Sequence, residues 1–272
     1  MSEAIQRITV SIIGIPLILA AIWFGQYYFL AFVAAVALLG LSELFSMAKT
    51  LDIVPSRFIG GIATLGILWA FYIGTPALII TILISATLLS LFLEMVTTSE
   101  QPLQNVSVTL FGLLYLGVGA GSMIGIRESG VFNDYIFTGQ LVILIFAGVW
   151  ICDTVAYFLG IRFGKHRLFE KVSPKKSVEG AVAGLLGAMA FVFGVYFSEL
   201  VPGITLRMAV ILAIIIGISG QAGDLMESWL KRRTDIKDSS SLIPGHGGVL
   251  DRFDSLLVVS PLIFIAIQLD VF

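Results

Sequence analysis

The sequence predicts an all-α protein that crosses a membrane several times. Of its 272 residues, 58% are hydrophobic and only 12% are charged, whereas soluble domains average roughly 45–50% and about 25%. The apolar residues are gathered into runs near the roughly 20 residues that a helix needs to cross a bilayer. Polar residues are concentrated in a few loops. We therefore expect a polytopic bundle of about nine transmembrane helices, with a cytoplasm-facing polar cavity built by the C-terminal helices.

Nine apolar runs define the predicted helices. Most are long enough to span the hydrocarbon core, and the last is the shortest. Pro76 divides what would otherwise be one very long run, because proline interrupts a helix. The runs are Ile8–Phe24, Tyr28–Ala48, Phe58–Gly74, Ala77–Val96, Val106–Ile126, Ile136–Leu159, Val178–Phe197, Ile204–Gly220 and Leu256–Leu269.

The basic residues predict the orientation of the bundle, since Lys and Arg accumulate in cytoplasmic loops. With nine spans, three basic groups fall on one side, and Arg127 and Arg207 remain on the other. The three groups are Arg7, Lys49 and Arg57; Arg162, Lys165, Arg167, Lys171, Lys175 and Lys176; and Lys231, Arg232, Arg233, Lys237 and Arg252. We expect the amino end and both charged loops in the cytoplasm, with the carboxyl end outside. Short loops favour a bacterial inner membrane.

The distribution of ionisable residues predicts one integral membrane domain over residues 1–272. Residues 1–126 carry few charges and are expected to pack, whereas residues 127–272 are expected to carry the chemistry. Glu43 and Glu94 lie near cytoplasmic helix ends, so we expect solvent at the interface to hydrate them. The single cysteine, Cys152, excludes an internal disulfide and is expected to be a small core residue.

Asp153 is an acidic residue inside an apolar run, about two turns from its cytoplasmic end. A charge at such depth costs several kcal/mol unless it is paired or hydrated. This position favours a side chain that faces the polar cavity. The alternative is a structural carboxylate bonded to a neighbouring helix. Tyr157 lies one turn further along the same face, where packing and substrate contact are equally good interpretations.

A basic loop precedes the seventh apolar run and contains the segment Ser173-Pro174-Lys175-Lys176-Ser177-Val178-Glu179-Gly180. Pro174 is expected to interrupt regular structure, and Ser177 is expected to cap the following helix. Lys175 and Lys176 would then lie beside a helix N-terminus, which is a favourable place for a phosphate group. The alternative is a loop attracted to anionic lipid headgroups. His166, in the same loop, is given no role.

The densest group of polar residues runs from Gly223 to Asp254. Helical spacing places four of its side chains on one face: Asp224, Glu227, Ser228 and Lys231. Asp251 and Asp254 repeat the three-residue step after a glycine-rich turn. Magnesium prefers oxygen ligands and usually takes one or two carboxylates together with substrate phosphates. We predict a Mg²⁺ site at Asp224, Asp251 and Asp254, with Glu227 and Asp238 as reserves.

The rest of this segment suits a polyphosphate. Glycines let backbone amides approach a phosphate closely, and His246 can hydrogen-bond a phosphate oxygen. Basic side chains can neutralise the charge that develops at a phosphoryl centre. The glycines are Gly245, Gly247 and Gly248, and the bases are Lys231, Arg232, Lys237 and Arg252. The alternative is a solvated loop with surface ion pairs.

These motifs resemble one known family. The pattern Ser228-x-x-Lys231-Arg232, Lys237-Asp238-x-Ser240 and Pro244-x-His246-Gly247-Gly248-Val249-x-Asp251-Arg252-Phe253-Asp254 resembles the signature of the phosphatidate cytidylyltransferases, or CDP-diacylglycerol synthases. Asp153-Thr154, Gly164-Lys165 and the Ser173 to Gly180 segment resemble an upstream loop of the same family. The N-terminal half matches in hydropathy alone.

The resemblance implies a nucleotidyltransferase of phospholipid biosynthesis. In this family a lipid phosphate attacks the α-phosphorus of CTP and releases CDP-diacylglycerol and pyrophosphate, with Mg²⁺ and with K⁺ as an optional second ion. It implies catalytic roles for Asp224, Lys231, Lys237, Asp251 and Arg252. It implies substrate binding by Asp153, Lys175, Lys176, Ser177, Ser228, Arg232, His246, Gly247 and Gly248. The expected partners are CTP, phosphatidate, the bilayer and a second copy of the chain, but no nucleic acid.

Other functions make different predictions. A transporter for an anionic nucleotide or phosphate would use Asp153 and the basic face, but such proteins often show inverted repeats, and none is visible. A CTP-dependent lipid kinase would transfer the γ-phosphoryl group and release CDP. The CDP-alcohol phosphotransferases are disfavoured, because their Asp-Gly-x-x-Ala-Arg pattern is missing.

Overall fold

The computed structural model describes residues 3–240, 242–243 and 247–272, with side chains from residue 9 onward. Almost all of this chain is helical, which confirms the all-α prediction. The helices are α1 Glu3–Phe24, α2 Gln26–Lys49, α3 Arg57–Tyr72, α4 Pro76–Thr97, α5 Pro102–Gly112, α6 Gly119–Arg127, α7 Tyr135–Phe163, α8 Val178–Phe197, α9 Leu206–Arg233 and α10 Leu250–Gln268. A π-helical stretch, Leu113–Val118, joins α5 to α6, and a 3₁₀ turn, Gly130–Phe132, follows. His246 and Gly245 lie outside the described residues.

Each predicted apolar run falls on a helix, with α5 and α6 sharing one run. Within the described residues, six helical segments are long and apolar enough to cross a membrane, as expected for a multi-pass protein. They are Gln26–Lys49, Pro76–Thr97, Pro102–Phe132, Tyr135–Phe163, Val178–Phe197 and Leu206–Arg233. Thr9–Phe24 and Arg57–Tyr72 are shorter apolar helices.

Helix boundaries follow local sequence signals. Gly74 adopts a left-handed φ of 66°, and Pro76 occupies the first turn of α4, so the long apolar run divides where the sequence predicts it. The side chain of Asp134 starts α7 by accepting hydrogen bonds from the first backbone N–H groups. The Ser177 hydroxyl starts α8 in the same way, accepting a bond from the Gly180 N–H at 3.1 Å.

A short hairpin connects α7 to α8. Its antiparallel strands are β1 Arg167–Phe169 and β2 Ser173–Ser177. We expected Pro174 to interrupt regular structure, but it lies within β2. A two-stranded hairpin has open edges, where a proline without an N–H group is tolerated.

Small residues bring the C-terminal helices close together. A Cβ at Gly184 on α8 would lie 3.0 Å from the Cys152 carbonyl oxygen, and one at Gly180 would lie 2.8 Å from that of Ala156. Such glycines, one turn apart, let membrane helices pack closely. Cys152 is buried in this contact, as expected. The α7–α8 contact fixes Asp153 and the basic loop relative to each other.

Helices α9 and α10 also cross at a glycine. A Cβ at Gly223 would lie 2.6 Å from the Asp254 carbonyl oxygen and 2.9 Å from the Ser255 Cα. This crossing brings the acidic residues of α9 beside those of α10. The C-terminal ends of α2, α7 and α9 and the N-terminal ends of α8 and α10 therefore meet at one end of the bundle, which we call the polar end.

Candidate active site

The polar end holds two neighbouring groups of charged side chains. The Asp224 cluster comprises Asp153, Lys176, Asp224 and Asp254, contributed by α7, the hairpin, α9 and α10. The Asp251 network comprises Glu43, Glu227, Lys231, Ser239 and Asp251, contributed by α2, α9, the following loop and α10. The sequence predicted that these residues form one metal and phosphate site, whereas in the structure they belong to two groups.

In the Asp224 cluster, a lysine from the basic loop meets the acidic face of α9. The Lys176 Nζ lies 2.6 Å from the Asp224 Oδ2, and the Ser228 hydroxyl donates to the Asp224 Oδ1 at 3.3 Å. Asp153 and Asp254 both interact electrostatically with Asp224 and with Lys176. One ammonium group therefore contacts one carboxylate directly and acts on two others from a greater distance.

The two other carboxylates of this cluster differ in exposure. Asp254 is 8% exposed, and its Oδ1 accepts a bond from the N–H of Ser255. Asp153 is exposed on the side of α7, and its charged neighbours include Arg252 as well as Asp224. Asp153 thus lies beside a polar surface and not beside packed apolar residues alone.

The Asp251 network is built around one lysine. The Lys231 Nζ lies 2.6 Å from the Glu227 Oε2 and 2.5 Å from the Asp251 Oδ1. The Asp251 Oδ2 accepts bonds from the Ser239 N–H at 3.0 Å and the Gly248 N–H at 2.8 Å, and the Ser239 hydroxyl oxygen lies 3.0 Å from it. Burial alone would raise the pKa of Asp251, but hydrogen bonds with Glu227, Lys231 and Gly248 lower it to about 2. Asp251 is therefore a fixed anion at neutral pH.

Glu43 is the residue that sequence reasoning missed. We expected it to be hydrated at the interface, but it is 6% exposed. Its Oε1 accepts bonds from the Ser240 hydroxyl at 2.6 Å and the Val249 N–H at 2.9 Å. Its Oε2 accepts bonds from the Ser239 hydroxyl and the Leu250 N–H, both at 2.8 Å. The expectation was wrong because these donors come from the other end of the sequence.

One sequence signal could have pointed to Glu43. The residue before α10 is Val249, which has no side-chain acceptor for the unpaired N–H groups of the first turn. A buried helix start of this kind needs an acceptor from elsewhere, and an anion is favoured there. The expectation of hydration was wrong for Glu94 too, since it is 9% exposed and accepts a bond from the Asn105 Nδ2 at 3.0 Å.

The glycines after residue 246 make room for this network. Gly247 has a left-handed φ of 81°. A Cβ at Gly248 would collide with the Ser239 hydroxyl and would lie 2.5 Å from the Glu43 Oε2. The Gly248 N–H already donates to Asp251. Close packing of carboxylates is thus a reason for glycine here in addition to the predicted phosphate contact.

The remaining predicted residues surround the two groups. The Arg232 Nε donates to the Val172 carbonyl at 3.3 Å and ties α9 to the hairpin. The Ser177 hydroxyl is engaged in capping α8. The other bases, Lys175, Lys237 and Arg252, are exposed. His246 lies outside the described residues, so its predicted role stays a prediction.

The predicted metal ligands do not gather at one point. Among the described residues, no three His, Cys, Asp or Glu side chains are close enough to hold a metal ion. Asp251 bonds with Lys231, whereas Asp224 and Asp254 belong to the other cluster. Carboxylate oxygens are nevertheless the donors that Mg²⁺ takes, and the Asp224 cluster brings three carboxyl groups within electrostatic range of one another. The donor chemistry of Asp224 and Asp254 therefore fits a hard cation.

Comparison with known sequences identifies the family. The sequence model of the Cytidylyltransferase family matches residues 5–270. The chain belongs to this family. As a cytidylyltransferase it is a nucleotidyltransferase, and the match includes the N-terminal half, where the sequence motifs gave no signal.

Curated relatives cover nearly the whole cytidylyltransferase chain. The phosphatidate cytidylyltransferase of Synechocystis sp. is 34% identical, over 95% of this chain and 94% of its own. That of Bacillus subtilis is 31% identical, over 99% of both chains. That of Staphylococcus haemolyticus is 31% identical, over 94% of this chain and 96% of its own. The aligned region includes Glu43 as well as the C-terminal motifs.

Proposed function

We propose that this cytidylyltransferase is a phosphatidate cytidylyltransferase, which converts CTP and phosphatidate to CDP-diacylglycerol and pyrophosphate. The observation that carries the proposal is the contact between Lys176 and Asp224 at 2.6 Å. It joins a basic loop suited to a lipid phosphate to an acidic helix suited to a cation and a nucleotide. The match to the family and the names of the relatives point to the same substrates.

The reaction requires positioning more than proton transfer. The phosphate monoester of the lipid is largely ionised near neutral pH, so its oxygen can attack the α-phosphorus of CTP with little help from a base. A new bond forms between that oxygen and the α-phosphorus, and the bond to the bridging oxygen of the β-phosphate breaks. Pyrophosphate leaves with the bonding electrons. Catalysis then depends on holding the two anions in line and neutralising their charge.

The basic residues of the polar end are assigned to the two substrates by position. Lys176, with Lys175 beside it, would hold the lipid phosphate at the start of α8. Lys237 and Arg252 are exposed and would neutralise the triphosphate and the departing pyrophosphate. Lys231 is held between two carboxylates, so we assign it a fixed charge near the triphosphate.

We propose that Asp224, Asp251 and Asp254 bind Mg²⁺, with Asp153 completing the acidic surface and K⁺ as a second ion. Two observations support a cation: the mutual electrostatic interaction of Asp153, Asp224 and Asp254 and the oxygen-donor chemistry of their side chains. When bound, the ion would supply positive charge to the CTP phosphates. In its absence, Asp224 would keep its bond with Lys176, and Asp251 its bond with Lys231.

We also propose that the polar end faces the cytoplasm of a bacterial inner membrane, with nine helices crossing the bilayer. Support comes from the basic residues of the loops at this end, since such residues favour the cytoplasmic side. The alternation of helix ends agrees with it, because α1 ends and α2 begins at the opposite end, beside the end of α6 and the start of α7.

The test is a reconstituted assay in detergent with CTP, Mg²⁺ and phosphatidate, omitting each in turn. We expect pyrophosphate release and CDP-diacylglycerol formation when all three are present, and neither product when one is missing. CDP as the nucleotide product would indicate a lipid kinase instead. If folded protein formed neither CDP-diacylglycerol nor CDP, nucleotide uptake into liposomes would test the transporter.

A further inference from the structure

Glu43 uses its full capacity as a hydrogen-bond acceptor. Each of its two oxygens accepts one serine hydroxyl and one backbone N–H of the helix start. The donors are Ser239, Ser240, Val249 and Leu250, which are separated from Glu43 by 196 to 207 positions in the sequence. A single carboxylate on α2 therefore fixes both the loop after α9 and the first turn of α10.

The charge and shape of a carboxylate are both needed for this arrangement. A glutamine has the same length, but one of its oxygens is replaced by an NH₂ group, which donates and cannot accept. The backbone N–H at that position would then face another donor, whereas the serine hydroxyl beside it can turn to accept. Buried donors that lose their acceptor are costly.

Glu43 connects directly to the proposed active site through Ser239. The Ser239 hydroxyl lies 2.8 Å from the Glu43 Oε2 and 3.0 Å from the Asp251 Oδ2. The Ser239 N–H donates to the same Asp251 oxygen, and Asp251 in turn binds Lys231. Ser240 differs, because within the described structure its hydroxyl contacts Glu43 and the Leu242 N–H but not Asp251.

We propose that Glu43 is a positioning residue of the active site. It holds Ser239 and the start of α10 so that Asp251 and Lys231 keep their places beside the CTP triphosphate. This inference rests on the proposed function, since it assigns the triphosphate to this side of the polar end. It places a determinant of nucleotide binding in the N-terminal half, which the sequence assigns to packing.

The experiment compares Glu43→Gln with Glu94→Gln in the full-length protein. Glu94 is a matched control, because it is also a buried glutamate bonded to a neighbouring helix, through Asn105, but among the described residues it has no bond to the loop after α9. The measurements are thermal stability in detergent, the KM values for CTP and for phosphatidate, and amide hydrogen exchange at Val249 and Leu250.

We expect Glu43→Gln to raise the KM for CTP about tenfold, since it removes hydrogen bonds to a charged group. The KM for phosphatidate should change less than about twofold, and exchange at Val249 and Leu250 should accelerate. Glu94→Gln should change neither KM. A merely structural role would reduce the amount of active protein without raising one KM selectively, so equal changes for both substrates would overturn the proposal.

The serine variants keep the proposal testable if Glu43→Gln does not fold. Ser239→Ala should raise the KM for CTP more than Ser240→Ala, because Ser239 alone of the two bonds to Asp251 in the described structure. Equal effects of the two variants would overturn the inference. Wild-type protein serves as the internal reference: if it makes no CDP-diacylglycerol, the proposed function fails, whereas an active wild type with an unaltered Glu43→Gln variant refutes the role of Glu43.

Discussion

Arg127 and Glu43 are two buried charges at opposite ends of the bundle, and they meet opposite ends of helices. Arg127 is 1% exposed and donates to the carbonyl oxygens of Ile22 at 2.7 Å and Trp23 at 3.0 Å, at the end of α1. Glu43 accepts from N–H groups at the start of α10. A cation is favoured at a helix C-terminus and an anion at an N-terminus, so both follow the same electrostatic rule.

The two residues differ in what lies beyond these helix ends. Arg127 also donates to the Tyr135 carbonyl oxygen and the Thr138 hydroxyl, and its guanidinium lies 3.7 Å from the centre of the Tyr135 ring. These contacts join helices. The contacts of Glu43 continue through Ser239 to Asp251 and Lys231. A buried charge at a helix end therefore joins helices at one end of the bundle and holds candidate site residues at the other.

The largest loss of activity is expected from a substitution within the Asp251 network. Asp251→Asn removes the negative charge that holds Lys231, and kcat/KM should fall by at least about a hundredfold, as for other preorganised electrostatic groups. Thermal stability should fall far less than in a variant that unfolds the bundle. Steady-state kinetics on folded protein measures this.

Asp235→Asn is the control for that variant. Asp235 is exposed and has a left-handed φ of 55°, which asparagine also tolerates. Its kcat/KM should stay near that of wild type. If Asp251→Asn were as active as Asp235→Asn, Asp251 would have no place in the site.

The next largest effect, on stability and activity, is expected at the close crossing of α9 and α10. Gly223→Ala places a Cβ 2.6 Å from backbone oxygen and must push the helices apart, which should cost roughly 1–3 kcal/mol of stability and should also lower activity. In Gly220→Ala, one turn earlier, the nearest atom is a Val259 methyl carbon at 3.7 Å. That variant should be tolerated, and similar melting temperatures for the two would contradict the close crossing.

Arg127→Met tests the other end of the comparison. It leaves carbonyl oxygens at the end of α1 without their donor, so stability should fall by about 1–3 kcal/mol. The KM for CTP should remain that of wild type, because Arg127 lies at the end opposite the polar end. A selective rise in this KM would show that the two ends are not independent.

The smallest effect is expected on the KM for phosphatidate, when two adjacent lysines are replaced in turn. Lys176 is bonded to Asp224, whereas Lys175 is exposed. Lys176→Met should raise the KM for phosphatidate about tenfold, in the range of a lost charge-assisted bond. Lys175→Met should raise it about twofold, as exposed charges contribute little. Equal effects would point to a general surface attraction for anionic lipid.

Local signals in the sequence predicted most of the fold. The nine apolar runs, the break at Pro76 and the Ser177 cap depend on neighbours within a few positions. The same holds for the polar face of α9, where helical spacing alone brings Glu227 and Lys231 together. Periodicity and capping rules act at this range and are visible in one chain.

Contacts between distant elements were not visible in the same way. The spacing of Asp251 and Asp254 did not show which partner each would meet: α10 turns Asp251 toward Lys231 and Asp254 toward Asp224, and their predicted metal role stays a prediction. Glu43 was missed because its partners come from the far end of the chain. Which carboxylate meets which base is decided by helix packing, and this includes the close approach at Gly223.

The most direct test determines which product receives the α-phosphate of CTP and which receives the γ-phosphate. Purified protein would be given phosphatidate and Mg²⁺ with CTP labelled at either the α- or the γ-phosphate. Cytidylyl transfer predicts that the α-label enters the lipid and that the γ-label leaves as pyrophosphate. Transfer of the γ-label to the lipid, with the α-label recovered as CDP, would contradict it.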